Sequence, residues 1–278
     1  MAYDKVIDSA KLDADLTTVA DAIRSKGGTS EALAFPAGFV SAIEAIEAGG
    51  GGGGGEDLFV SVSERTTTSI THPSVKSIGT YLFYGYTSLK SVDFPNAKSL
   101  GAYAFFGCTG ITALNIPKVT SIDTNALYNV SALTKIYIPE VLSVGTYALR
   151  QCKKITRVYF PKATSVGNYA LSRCNVLPVA DLGQVSTING GVFVEDYALK
   201  TLILRKSDGI VTLSATSAFD ATPFATNGSG GTVYVPSALI ETYQTATNWS
   251  TLFTAGTCSF TPLEGSVYED EDWGKESE

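Results

Sequence analysis

The chain has 278 residues, a formal net charge of -7, 44% apolar and 17% charged residues. Residues 264–278 hold seven acids and one base, so the remainder is nearly neutral, with 20 acids facing 19 bases. That balance excludes a nucleic-acid binder, which needs clustered Lys and Arg against phosphate, and argues against adsorption to an anionic membrane; no apolar run approaches the roughly 18 residues of a bilayer span.

From the N-terminus, Leu12, Leu16, Val19 and Ile23 recur at spacings of three and four, with Asp13 and Asp15 before them and Arg24 and Lys26 behind. The spacing predicts an amphipathic helix whose charges oppose its macrodipole, stopped at Gly27-Gly28. A second helix is expected after Phe35-Pro36, with Phe39, Ile43 and Ile46 on one stripe. Residues 1–48 thus read as a short helical hairpin too small to bury a core of its own, and hence as an assembly or anchoring head that completes itself with copies or a partner. Met1 to Leu16 carries four acids and no apolar h-region, which predicts no ordinary secretory signal peptide, so that any export must use another route. The glycine run 49–55 is a flexible linker of roughly 15 Å root-mean-square span.

Beyond the glycines the sequence repeats. Prolines stand at 73, 95, 117, 139 and 161, a period of 22 residues. Five residues after each proline comes Ile78, Leu100, Ile122, Val144 and Val166, a column that continues to Ile188 and Ile210 although Gly183 and Arg205 replace the proline. Ahead of the prolines, Leu89-x-x-Val92-x-Phe94 recurs as Ile111-x-x-Leu114-x-Ile116, Leu133-x-x-Ile136-x-Ile138 and Ile155-x-x-Val158-x-Phe160. A fixed period with several apolar columns predicts a solenoid over 56–263, each coil giving one short strand ended by its proline, the strands stacking into a parallel sheet on one face. Leu58, Val60 and Val62 alternate like a first capping strand. At the other end, Thr232 to Pro236 restores the pattern after an interruption at 220–231, Ser237 starts a helix, and Trp249 with Phe253 closes the last coil. The acidic tail, 264–278, lies outside the register and reads as a solubilising end or a docking peptide for a basic partner.

The strings Ser-Ile-Gly-Thr-Tyr-Leu-Phe (77–83), Ser-Leu-Gly-Ala-Tyr-Ala-Phe-Phe-Gly-Cys (99–108), Ser-Val-Gly-Thr-Tyr-Ala-Leu (143–149) and Ser-Val-Gly-Asn-Tyr-Ala-Leu (165–171) resemble leucine-rich repeats of the BspA type. The resemblance implies an α/β solenoid of the leucine-rich-repeat class. The asparagine column of the commoner leucine-rich pattern is here Ala97, Val119, Val141, Ala163 and Val185, so small apolar packing must take over that turn. Residues 12–30 and 35–43 are similar to N-terminal segments of tail-associated structural proteins in phages and prophages of Gram-positive bacteria. That similarity implies a virion location and a head that binds other tail or baseplate proteins, with homo-oligomerisation through the head as a further possibility.

Candidate chemistry is sparse. Cys108, Cys152 and Cys174 share a column whose fourth member is Val130, and a column that accepts valine packs rather than reacts; neither a disulfide nor a metal site is expected. His72 is the sole histidine, precedes Pro73 in the first coil, and reads as a capping residue. No nucleophile elbow, P-loop or dinucleotide fingerprint occurs, so neither enzyme chemistry nor a cofactor is expected. Tyr81, Tyr103, Tyr147 and Tyr169 form a repeat column and read as structural. The outward strand positions are the candidate site. Stacked in register, Lys135, Tyr137, Arg157 and Tyr159 form one patch, extended by Asp93 and Asn115, and Tyr and Arg are the residue types that stack on sugars and anchor interfaces. The expected function is host-surface binding, to glycan or protein, by a phage tail module without nucleic-acid or membrane-inserting roles. The alternatives are a solenoid that only decorates the tail, and a bacterial surface adhesin.

Overall fold

A computed structural model of the chain describes residues 67–270. The expected helical hairpin, the glycine linker, the capping strand at 58–62 and residues 271–278 lie outside the described residues. Within them the chain winds into parallel coils, and each regular coil contributes two strands rather than the expected one. The longer strands are β1 (Ser69–Thr71), β3 (Ser91–Asp93), β5 (Ala113–Asn115), β7 (Lys135–Tyr137), β9 (Arg157–Tyr159), β11 (Val179–Asp181), β13 (Thr201–Ile203), β15 (Gly231–Val235) and β16 (Cys258–Pro262). The second ladder consists of two-residue strands: β2 (Ser77–Ile78), β4 (Ser99–Leu100), β6 (Ser121–Ile122), β8 (Ser143–Val144), β10 (Ser165–Val166), β12 (Thr187–Ile188) and β14 (Thr212–Leu213). Long strands pair at a 22-residue offset, Ser91 with Ser69 and Arg157 with Lys135. Their ladder divides between β5 and β7 into two sheets, in the orders β1-β3-β5 and β16-β15-β13-β11-β9-β7.

Alternation decides which side chains fill the interior. Val92, Ile136, Val158, Ala180 and Leu202 point inward and are buried, as are Ile78, Leu100, Ile122, Val144, Val166 and Ile188 from the short strands. Phe83 and Phe105 stack inside with centroids 5.0 Å apart. Ala97, Val119, Val141, Ala163 and Val185 are all fully buried, so small apolar packing does replace an asparagine ladder at that turn.

The outer side of each coil is a chain of turns. Tyr81, Tyr103, Asn125, Tyr147 and Tyr169 share one column there, all with φ between 56° and 60°; four residues on, Gly85, Gly107, Asn129, Gln151, Arg173 and Glu195 form a second left-handed column. A non-glycine residue in this region costs about 1–2 kcal/mol. Bonds between coils offset that cost, since Tyr81, Tyr103 and Tyr147 each donate their N–H to a carbonyl of the next coil, on Ala102, Thr124 and Asn168. Ring stacking adds to it, with Tyr81 on Tyr103 at 4.8 Å and Tyr147 on Tyr169 at 5.4 Å. The tyrosine column is structural in this sense, although Tyr81 keeps 55% of its surface exposed.

Two features at the C-terminal end depart from the expected register. Leu213, not Ile210, pairs with Ile188, because the last coil is longer than its predecessors. The cap then meets a strand edge whose backbone groups need partners. After a 3-10 turn at Ser237–Leu239, the helices α1 (Ile240–Thr245) and α2 (Trp249–Thr254) supply them with side chains. Trp249 Nε1 donates to the Val211 carbonyl at 2.8 Å, the Val211 N–H donates to Tyr243 Oη at 2.8 Å, and Asn248 Nδ2 donates to the Leu213 carbonyl at 2.7 Å. Trp249 closes the core as expected; Phe253 stays 38% exposed at its rim, and β16 adds a further parallel strand beside β15.

Candidate functional site on the long-strand face

The outward positions of the long strands form two columns. One runs Asp93, Asn115, Tyr137, Tyr159, Asp181, Ile203 and Tyr234; beside it run Ser91, Ala113, Lys135, Arg157, Val179, Thr201 and Thr232. The structure brings Lys135 against Arg157 and Tyr137 against Tyr159 in direct register. The two tyrosine rings stack 5.2 Å apart and 5° from parallel. Lys135 and Arg157 are like charges directly opposite each other on adjacent strands, an arrangement that is unfavourable by itself. Asn115 Nδ2 donates to Asp93 Oδ1 at 2.7 Å, but this pair lies on the other sheet, across the division between β5 and β7. The six-residue patch is thus a Lys-Tyr-Arg-Tyr cluster and a separate Asp-Asn pair.

Exposure changes sharply along the first column. Asn115 is exposed and Tyr137 half-buried, yet Tyr159 retains only 2% of its surface and Asp181 and Ile203 none. Tyr159 is therefore a covered supporting ring rather than the open contact expected of it.

The family described as BspA type Leucine rich repeat region is matched by residues 57–178, in six copies. A leucine rich repeat protein of T. pallidum is 21% identical, with a TM-score of 0.48 over 51% of this chain and 73% of that one. One from Bacteroides ovatus is 21% identical, with a TM-score of 0.45 over 59% and 48%. The pneumococcal vaccine antigen PcpA is 15% identical, with a TM-score of 0.41 over 72% and 41%. The chain thus spans about half or less of the latter two. No match was found among the curated proteins.

Three features of the repeat region escaped the sequence reading. The first is a latch. Arg205 and Asp181 form a buried ion pair, with Nε and Nη2 each 2.9 Å from Oδ2. Asp181 Oδ1 also accepts the Gly183 N–H at 2.9 Å, a bond proline cannot donate, which explains why the proline column ends there. Gly183 takes φ +56°, and a Cβ on it would collide with the carbonyl oxygens of Phe160 and Pro161. Arg205 reaches further, to the carbonyls of Tyr268 at 2.8 Å, Glu269 at 3.1 Å and Asp270 at 3.4 Å. Residues 264–270 are therefore fastened to the solenoid, not part of a loose tail.

The second is Asp196, which occupies the cysteine column one coil after Cys174. Cys108, Cys152 and Cys174 are buried, and their thiols donate to the carbonyls of Phe83, Leu127 and Leu149. Burial pushes the Cys152 thiol up to about 12 and Cys174 well above its ordinary range, so both stay protonated. Asp196 is fully buried; its Oδ1 accepts the Cys174 N–H at 2.6 Å and its Oδ2 has no partner. Burial foremost, with the nearby Glu195 charge, raises its pKa well above the carboxylate range against the Cys174 hydrogen bond. A neutral Asp196 presents an O–H in the column where the cysteines present S–H.

The third is a second aromatic stack on the turns, Tyr84 on Phe106 at 4.9 Å and Phe106 on Tyr128 at 4.6 Å. A groove of about 450 Å³ follows the short-strand ladder, lined by Ser99, Ser121, Ser143 and Ser165 with Asp123. His72 packs near Phe94 at 6.5 Å in the first described coil.

Proposed function

We propose that the protein is a non-enzymatic binding module that takes its ligand on the long-strand face at Lys135, Tyr137 and Arg157. The observation that carries this is the in-register cluster of two cations beside a pair of stacked tyrosines. A flat aromatic edge next to cationic donors suits a sugar ring or peptide carrying an acidic group. We further propose that the module is displayed on a phage tail or baseplate and contacts the bacterial surface. The head, 1–48, would hold it to other tail proteins and the glycine run, 49–55, would tether it. The likeness of residues 12–30 and 35–43 to tail-associated proteins supports that placement.

The test is binding of the labelled full chain to Gram-positive cells. Tyr137→Ala and Arg157→Ala should each lower apparent affinity by about tenfold or more, the scale of an interface anchor. Unchanged binding by both variants removes this patch. Absence of the chain from purified particles of the phage that carries its gene removes the tail placement.

A further inference from the structure

Positive charge is concentrated on the outer turns of one coil. Residues 145–154 hold three cations, Arg150, Lys153 and Lys154, and no acid. The equivalent stretches of the two preceding coils, 101–110 and 123–132, hold no cation and a single acid, Asp123. The excess is thus local, in a body whose acids and bases nearly balance.

Arg150 stands in the column of Tyr84, Phe106 and Tyr128, at the step where that aromatic stack ends. Its backbone is held from both sides: the N–H donates to the Tyr147 carbonyl at 3.2 Å, and the carbonyl accepts the Asn129 N–H at 2.8 Å. The side chain is half-buried, with Cζ 5.2 Å from the Tyr147 ring centroid and 5.7 Å from that of Tyr169. Both distances fall within the roughly 6 Å reach of a cation–π contact. The rings fix the guanidinium in place, yet Nε is sealed beneath protein atoms without an acceptor. Among the described residues Arg173 and Arg205 each hold a carboxylate, on Glu195 and Asp181, whereas Arg150 holds none. A guanidinium partly withdrawn from water and left without an acceptor is incomplete, and an anion at its terminal N–H groups would complete it. Lys153 and Lys154 follow on the same turn, both exposed, where the Lys153 N–H donates back to the Gln151 carbonyl at 2.8 Å.

We propose that Arg150, with Lys153 and Lys154 beside it, is a binding site for a phosphate group carried by a partner molecule. A phosphate ester brings up to about two negative charges and three acceptor oxygens. Three cations match that better than they match the single charge of a carboxylate. The planar fork of Arg150, already oriented by two rings, bonds two oxygens at once, and the lysines act as mobile point charges. None of these residues belongs to a long strand, so the site stands or falls apart from the ligand reading above.

The experiment is calorimetric titration of the full chain with tripolyphosphate at low salt. Arg150→Gln should weaken binding by about tenfold or more, the scale of a lost charge-assisted bond. Arg150→Lys, which keeps the charge and loses the fork, should weaken it several-fold. Lys153→Gln/Lys154→Gln alters only exposed side chains, so it tests the site even if the Arg150 variants unfold, and it too should weaken binding several-fold. Lys76→Gln, at an exposed lysine of the first described coil, should change nothing. Inorganic phosphate should compete with tripolyphosphate in the unmutated chain and lose that effect in Arg150→Gln. No binding by the unmutated chain overturns the site, as does a loss in Lys76→Gln equal to that in Arg150→Gln. Citrate, a carboxylate ion of comparable charge, binding as tightly as tripolyphosphate overturns the assignment to phosphate.

Discussion

The coils carrying prolines at 95, 117, 139 and 161 and the coils carrying Gly183 and Arg205 in the same column are built on one plan and do different work. In the first group side-chain bonds such as Lys118 to Asn96 and Lys162 to Glu140 run to the adjacent coil, and the outward strand positions stay at least partly open, until Tyr159. In the second, the outward positions Asp181 and Ile203 are sealed, and Arg205 joins residues more than 60 positions apart in sequence. Repetition makes the scaffold, and its interruption makes the latch. The contrast implies that changes in the latch should be felt globally, whereas equivalent polar changes in the regular coils should be nearly silent.

The largest expected effect follows from breaking the latch. Arg205→Ala removes the cation paired with the buried Asp181 carboxylate, a loss that costs about 3–5 kcal/mol. Denaturant unfolding should report that loss. The double variant Asp181→Asn/Arg205→Met should recover much of it, because no uncompensated charge remains. Equal destabilisation by the single and double variants would mean that the ion pair itself is not what matters.

A pH-dependent effect should come from Asp196. Its folded pKa lies above the unfolded value of about 4. Its stabilising contribution is accordingly complete below that unfolded value and is lost as pH rises toward and through the folded pKa, by about 1.4 kcal/mol per pH unit between the two. Asp196→Asn keeps the shape without the charge. Unfolding midpoints measured from pH 4 to pH 8 should show the variant gaining on the wild-type protein as pH rises. A constant difference across that range would show that Asp196 does not titrate as its burial dictates.

The repeat, its strand positions and the register that sets Lys135 beside Arg157 were legible because a period of 22 is written in several columns at once, and each column is evidence for the others. The second ladder was not, since strands such as Ser77–Ile78 offer one apolar residue per coil and no alternation to read. Tyr103 and Tyr147 at positive φ run against intrinsic preference and are held by backbone bonds and ring stacking from neighbouring coils. Arg205 and Asp196 were missed for a shared reason: each appears once, where a column loses its consensus, and its partner cannot be read from spacing. Tyr159 was placed in the right register and given the wrong exposure, because strand alternation says which way a ring points but not what lies over it.

The smallest expected effect tests the other side of the contrast. Lys162 and Glu140 form an ion pair between regular coils at 2.8 Å, as short as any contact in the latch, but both side chains are 48% exposed. Water already solvates each charge, and ordering two long side chains offsets most of the attraction, so such pairs contribute about 0–1 kcal/mol. Lys162→Ala should therefore shift the unfolding midpoint little, and added salt should shrink even that difference. A loss approaching that of Arg205→Ala would mean that distance, rather than burial, decides what an ion pair is worth in this solenoid, and the division between scaffold and latch would fall.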